Sequence, residues 1–178
     1  MHGDEYTYEE LMPEIAVPEG MTAYLNDINA QGDNRDAAYT MTKDFTLNSD
    51  EDFIIVYGIN HTKTKKASYT NTVLYSRPML NGVVSVYNTS FEGSADRYLD
   101  ASCKDRDSYY VYKLARTQED SYTAVIPYSE GNPQGEYYGV DNGDTLLLAH
   151  RAYLEPETGV GPSYYEIIYD RAIVFHKK

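Results

Sequence analysis

The chain has no tryptophan, four phenylalanines and one cysteine, Cys103, among 178 residues. A single thiol excludes an internal disulfide framework and a cysteine-based zinc site. Without tryptophan or a cysteine pair, the Cys-Trp-Cys signature of antibody domains is absent as well, and so is the usual stacking platform for sugars. His2, His61, His150 and His176 are scattered and show neither HxH nor HExxH spacing, which removes the common zinc patterns. Cationic residues are also scarce. Lys and Arg number 15 against 28 Asp and Glu, a formal net charge of -13. Such a body repels phosphate backbones and anionic lipid, so nucleic-acid and membrane-surface roles are set aside. No stretch approaches the roughly 18 consecutive apolar residues of a membrane span. Residues 1–30 lack the short apolar block of a signal peptide, which leaves either a cytosolic chain or a numbering that begins after processing.

What the chain does have is 20 tyrosines. Tyrosine offers a large apolar ring with a polar tip, and it suits pleated, half-wet surfaces. A chain of this length fits one domain, or one domain with an extended arm, and can bury roughly 70% of its unfolded surface. The core is therefore expected to be built largely from tyrosine.

Period-2 patterning recurs along the chain. From Ala37 to Leu47 the odd positions read Ala37, Tyr39, Met41, Lys43, Phe45 and Leu47, which predicts a strand with those residues on its dry face. "DFIIVYGI", Asp52 to Ile59, is apolar almost throughout and predicts a central strand covered on both sides. "ASYTNTVLYS", "GVVSVYNTSF", "SYYVYKLAR", "SYTAVIPY", "DTLLLAHRAYL" and "YYEIIYDRAIVFHK" follow, parted by turn signals such as "LNG" and "DNGD", for about eight strands in all. Only "SADRYLDA" reads as a short helix, with Ser94 as its cap and Asp96 in its first turn. The fold class expected is all-β: an antiparallel immunoglobulin-like sandwich with at most one short helix.

Residues 1–20 read as an N-terminal arm and residues 21–178 as the sandwich domain. Within the arm, "LMPEIAV" places Leu11, Pro13, Ile15 and Val17 on one face of a strand, and Pro13 confines that strand to an edge or to a neighbour's sheet. A helical turn competes, since Thr7 and Glu10 have capping-box spacing.

Candidate chemistry is sparse. "DINAQGDNRDAA" carries Asp27, Asn29, Gln31 and Gly32 at calcium-loop spacing, but Ala38 stands where a bidentate Glu is needed, so an acidic turn is expected. Cys103 lies in no nucleophile motif, and no spacing singles out a carboxylate pair, with Glu166 or Asp170 as plausible as any other acid. No catalytic residue, metal ligand or cofactor is assigned. Asn60 and Asn88 open glycosylation sequons. Lys63, Lys65 and Lys66 cluster in "INHTKTKK", which reads either as a solvated hairpin or as a basic loop that docks on an acidic neighbour of the same chain.

Three segments, "FIIVYGINHTKTKKASYTN", "GSADRYLD" and "HRAYLEPETGVGPSYYEII", resemble blocks of a family of secreted β-sandwich proteins without assigned activity, some of which are similar to subunits of pilus-like helical fibrils. The resemblance implies an extracellular, non-enzymatic structural subunit. It also implies donor-strand exchange, in which an N-terminal segment completes the sandwich of another copy; "LMPEIAV" is the candidate segment here. Pro13 departs from the uninterrupted alternation of fimbrial donor strands. The partners expected are copies of the same chain. The alternative expectation is a monomeric secreted binding module, for a glycan or a protein, with tyrosines around "GEYYGVDNG" or "GPSYYE" at its surface.

Overall fold

The computed structural model describes residues 5–16, 26, 36–129 and 139–178. Ten strands build it: β1 (Tyr6–Leu11), β2 (Glu14–Ile15), β3 (Ala37–Met41), β4 (Phe53–Ile59), β5 (Tyr69–Ser76), β6 (Asn81–Tyr87), β7 (Tyr109–Ala115), β8 (Thr123–Val125), β9 (Leu146–Tyr153) and β10 (Arg171–Lys177). They form two five-stranded sheets, in the orders β1-β10-β4-β7-β8 and β2-β3-β9-β5-β6. Every strand pairing is antiparallel except β7 with β8. The protein is an all-β sandwich.

Alternation explains how the two sheets meet. Ile54 and Val56 of β4, Leu114 of β7, Val174 of β10, Leu74 of β5 and Leu148 of β9 are all essentially inaccessible and belong to one apolar cluster. Each such side chain contributes on the order of 1.5–3 kcal/mol by leaving water. Phe91 stacks on Tyr110 with ring centroids 3.8 Å apart, so aromatic area completes the centre. The core is thus mainly aliphatic, with Tyr110 and Tyr112 the tyrosines buried in it, whereas a tyrosine-built core was expected.

Four further expectations are corrected. In β3 it is Ala38 and Thr40 that face inward with Ala37, while Tyr39 and Met41 are half-exposed, so the dry face is largely the even one. Thr42 follows the same phase, its hydroxyl accepting from Leu148 N at 3.0 Å, and the phase slips at the exposed Lys43–Asp44 before Phe45 and Leu47 return to the core. β4 is central in its sheet, but only one of its faces is fully covered. The helix over Ser94 to Ala101 is a single 3-10 turn, Asp96–Tyr98, and a second lies at Arg106–Ser108. Ser94 does not cap it; its buried hydroxyl donates to Phe91 O at 2.6 Å and accepts from Val111 N at 3.1 Å, tying the turn to β7.

The N-terminal residues contribute to both sheets. β1 is one edge strand of its sheet, opposite β8, and β2 is one edge of the other, opposite β6, with the exchange between sheets at Met12–Pro13. Proline suits that step, because there its missing N–H interrupts no ladder. The continuous strand expected over residues 11–17 is therefore two short strands. Leu11 is fully buried opposite Ala172, and Pro13 is buried, but Ile15 is 45% exposed on the rim beside Thr40. Val17 lies outside the described residues, as do Asp27, Asn29, Gln31 and Gly32.

Candidate functional site

Two features of the fold bear on function: the N-terminal strands and a polar cluster inside the sandwich. β1 lies antiparallel on β10 from Tyr6 opposite Lys177 to Leu11 opposite Ala172. Tyr8 packs on Phe175, and Phe175 stacks on Phe53 with centroids 4.6 Å apart, so an aromatic row crosses the outer face of this sheet. β2 holds the opposite sheet through Glu14 and Ile15, and Ala16 N donates to Tyr39 O at 2.9 Å. From there the chain passes through residues 16–36 before β3 begins.

The lysine segment joins β4 of one sheet to β5 of the other, so it spans the sandwich and is no hairpin. Lys66 reaches Glu155 at 2.7 Å and Glu166 at 3.2 Å, and Lys63 reaches Glu92 at 3.5 Å. The hydrogen bonds that Lys66 Nζ donates to Glu155 and Glu166 hold its pKa above the usual lysine range. Among the described residues Lys65 forms no ion pair; it is exposed and adopts φ 63°. Glu155, in turn, accepts from Thr158 Oγ1 at 3.0 Å, while its own N–H donates to Val160 O at 2.6 Å. The "YLEPETGVGP" loop is thereby closed on itself and clamped by Lys66. Gly161 lies against the backbone of Ala37 so closely that a Cβ would stand 2.6 Å from Ala37 N.

Asn60 does not present a sugar acceptor in the folded chain. Its side chain is buried, donates to Asn88 O at 3.1 Å, and accepts from the N–H and hydroxyl of Thr62 at 3.2 and 2.7 Å. Asn88 is half-buried, with its Oδ1 enclosed. Next to this turn, buried His61 donates from Nε2 to Ile168 O at 3.1 Å. Burial lowers the His61 pKa, and the carbonyl partner offsets part of that effect.

The polar cluster lies between the sheets. Thr72 of β5, Tyr110 of β7, His150 of β9 and Asp170, the residue before β10, come from four separate elements. Tyr110 Oη is 2.7 Å from Asp170 Oδ1 and 3.2 Å from Thr72 Oγ1, and Thr72 Oγ1 is 2.8 Å from His150 Nδ1. Thr72, Tyr110 and His150 are each no more than 2% exposed. Burial pushes the Asp170 carboxyl up to about 7, against the stabilising Tyr110 hydroxyl. It pushes the His150 imidazole down to about 3, so His150 is neutral and its 3.7 Å approach to Asp170 Oδ2 is no ion pair. Burial, then the charge of Asp170, raises Tyr110 well above the ordinary phenol range. His150 Nε2 is buried with no hydrogen-bond partner among the described residues, and His150 borders a cavity of about 10 Å³ lined also by Thr40, His61, Arg151, Tyr169 and Asp170. That volume corresponds to about one water centre.

Among the described residues no group of three or more His, Cys, Asp or Glu could hold a metal ion, and no helix is long and apolar enough to cross a membrane. Of the acids weighed from sequence, Asp170 enters the cluster and Glu166 pairs with Lys66. Thr72, Tyr110 and His150 were not singled out for it. The available signal was parity: His150 shares its strand face with Leu146, Leu148 and Ala152, which places an imidazole among core residues. Comparison with protein-family models, curated proteins and solved structures finds no match to this chain.

Proposed function

We propose that the chain is a structural subunit of an extracellular, pilus-like filament, an immunoglobulin-like sandwich that polymerises by lending its N-terminal strands to another copy. The observation that carries this reading is the position of β1 and β2. Each is an edge strand of one sheet, together they deliver the fully buried Leu11, and they connect to β3 through residues 16–36. The contacts these strands make within their own chain are the ones a neighbour's sandwich would receive, which is the condition for exchange of an identical element. Main-chain ladder bonds supply affinity in such an exchange and alternate side chains supply register. A head-to-tail exchange does not close and extends as a fibre. The exposed Lys65 is the member of the basic loop that remains for lateral contact with an acidic neighbour.

Negative-stain microscopy of the full-length protein tests this reading. Filaments are expected for the intact chain and none after removal of residues 1–20; single particles under all assembly conditions would overturn it. A second reading, a secreted module binding glycan or protein, is favoured by Tyr165, 96% exposed in "GPSYYE" with Ile168 67% exposed nearby. Tyr165→Ala would then abolish ligand capture and leave assembly unchanged.

A further inference from the structure

The four members of the buried cluster carry hydrogens that fit their distances, with every hydroxyl hydrogen accepted inside the cluster, in only two ways. Thr72 has one hydrogen to give, and its oxygen stands within reach of both Tyr110 Oη and His150 Nδ1. If the Tyr110 hydrogen points to an ionised Asp170, Thr72 must donate to Tyr110, and Nδ1 must then carry the hydrogen it gives to Thr72. If Asp170 holds a proton on Oδ1 and donates it to Tyr110, the direction runs the other way. Tyr110 donates to Thr72, Thr72 donates to Nδ1, and the hydrogen of the neutral imidazole resides on Nε2. Both arrangements satisfy every contact in the chain, and any other leaves either a link without a hydrogen or a hydroxyl hydrogen without an acceptor in the cluster.

We propose that Asp170, Tyr110, Thr72 and His150 form a proton chain of reversible polarity, in which the protonation of Asp170 decides whether His150 offers the cavity a donor or an acceptor at Nε2. The conversion balances. One solvent proton binds at Nε2, the Nδ1 hydrogen passes to Thr72 Oγ1, the Thr72 hydrogen passes to Tyr110 Oη, and the Tyr110 hydrogen passes to Asp170 Oδ1. Each group that receives a hydrogen gives one on, the imidazole taking it at Nε2 and releasing it from Nδ1, except Asp170, which ends neutral. The ligand of the cavity is one water, which turns its hydrogens or its oxygen toward Nε2 as the polarity dictates.

The surroundings favour titration at Asp170 over His150. Facing the carboxyl are Tyr110 from β7, His150 from β9 and Gly58 from β4, with Thr72 from β5 one link further along; Arg151 of β9 lines the cavity, but its guanidinium lies over the Tyr39 ring on the opposite face, and His61 and Tyr169 complete the wall. His61 is held by Ile168 O and is neutral at physiological pH. Burial places the Asp170 transition at about 7 and leaves the imidazole without its own transition in that range. The inference is independent of filament assembly.

Long-range ¹H–¹⁵N spectra of the imidazole nitrogens in the full-length protein test it, recorded between about pH 5 and about pH 9. His150 is expected to change from the Nε2–H to the Nδ1–H tautomer as pH rises, with the midpoint of the Asp170 carboxyl carbon signal. Thr72→Val is expected to leave the Asp170 transition in place and to stop the tautomer from following it; Tyr110→Phe is the second variant for the same break. A His150 that keeps one tautomer in the wild-type protein, that becomes doubly protonated, or that follows Asp170 equally in Thr72→Val overturns the proposal. The wild-type titration decides even if both variants fail to fold.

Discussion

Gly58 and Asp170 occupy one another's space: a Cβ on Gly58 would overlap Asp170 Oδ1 and stand 3.0 Å from its Cγ. Gly58 lies on β4 opposite Tyr110, in the pairing that carries β7. The missing side chain is what allows the carboxyl to enter the sandwich and meet the Tyr110 hydroxyl. Gly58→Ala is therefore expected to cost about 1–3 kcal/mol, the range for overpacking. With Asp170→Gly in the same chain that cost should largely vanish. Urea unfolding of the two single variants and the double variant measures the coupling; additive effects would contradict the contact.

Asp170 also sets an unusual pH dependence. Its carboxyl titrates near 3.8 when unfolded and at about 7 in the fold, so between those values the folded chain binds more protons than the unfolded one. The contribution to stability is fully present below about pH 4 and is lost as pH rises through about 7, roughly 4 kcal/mol at most. Asp170→Asn should flatten this slope. The gap in unfolding free energy between wild type and variant is expected to change across that window and to be constant above it.

Asp52 acts in the opposite direction. It is 1% exposed and accepts from Asn48 N, Ser49 Oγ, Lys177 N and His176 Nδ1 at 2.8–3.0 Å. Burial alone would raise this carboxyl, but the bonds donated by Lys177, Asn48, His176 and Ser49 outweigh it and hold it at about 2. Its stabilisation is present above about pH 4 and is lost as pH falls through about 2, roughly 2 kcal/mol. Asp52→Ala, which leaves those donors without an acceptor, should lower the melting temperature at pH 7 and narrow the difference from wild type in acid.

Leu11 and Ile15 separate core from rim within the N-terminal strands. Leu11→Ala removes a fully buried side chain and is expected to cost about 2–5 kcal/mol. Ile15→Ala, at a site 45% exposed, should change stability by no more than about 0.5 kcal/mol. If Leu11 anchors the exchanged strand, Leu11→Ala also slows filament growth under conditions where Ile15→Ala does not. Thermal unfolding and light scattering of the same samples report both.

Much of this architecture is legible in the sequence because β5, β6, β7, β9 and β10 alternate or run apolar between turn residues. β1 is not: "YTYEEL" has only Leu11 in the core, and its other side chains are exposed or half-exposed. The face of β3 is misread because Tyr39 and Met41 outrank Ala38 and Thr40 in hydrophobicity. Tyr39 instead stays outside, with Arg151 over its ring at 4.7 Å, and Thr40 and Thr42 turn inward. Asn60 reads as a surface sequon, and only the tertiary contact to Asn88 hides it. The buried cluster is least legible, since four elements each bring one member and no pair has a telling spacing.

The central claim is that the N-terminal strands can sit in another copy, and a covalent trap tests it most directly. Glu10 of β1 lies opposite Ile173 of β10. In a Cys103→Ser background, Glu10→Cys with Ile173→Cys can be oxidised under assembly conditions and run on a non-reducing denaturing gel. Exchange predicts a ladder of covalent oligomers that reduction collapses to monomer. A cross-linked monomer alone, its strands joined within one chain, would contradict it.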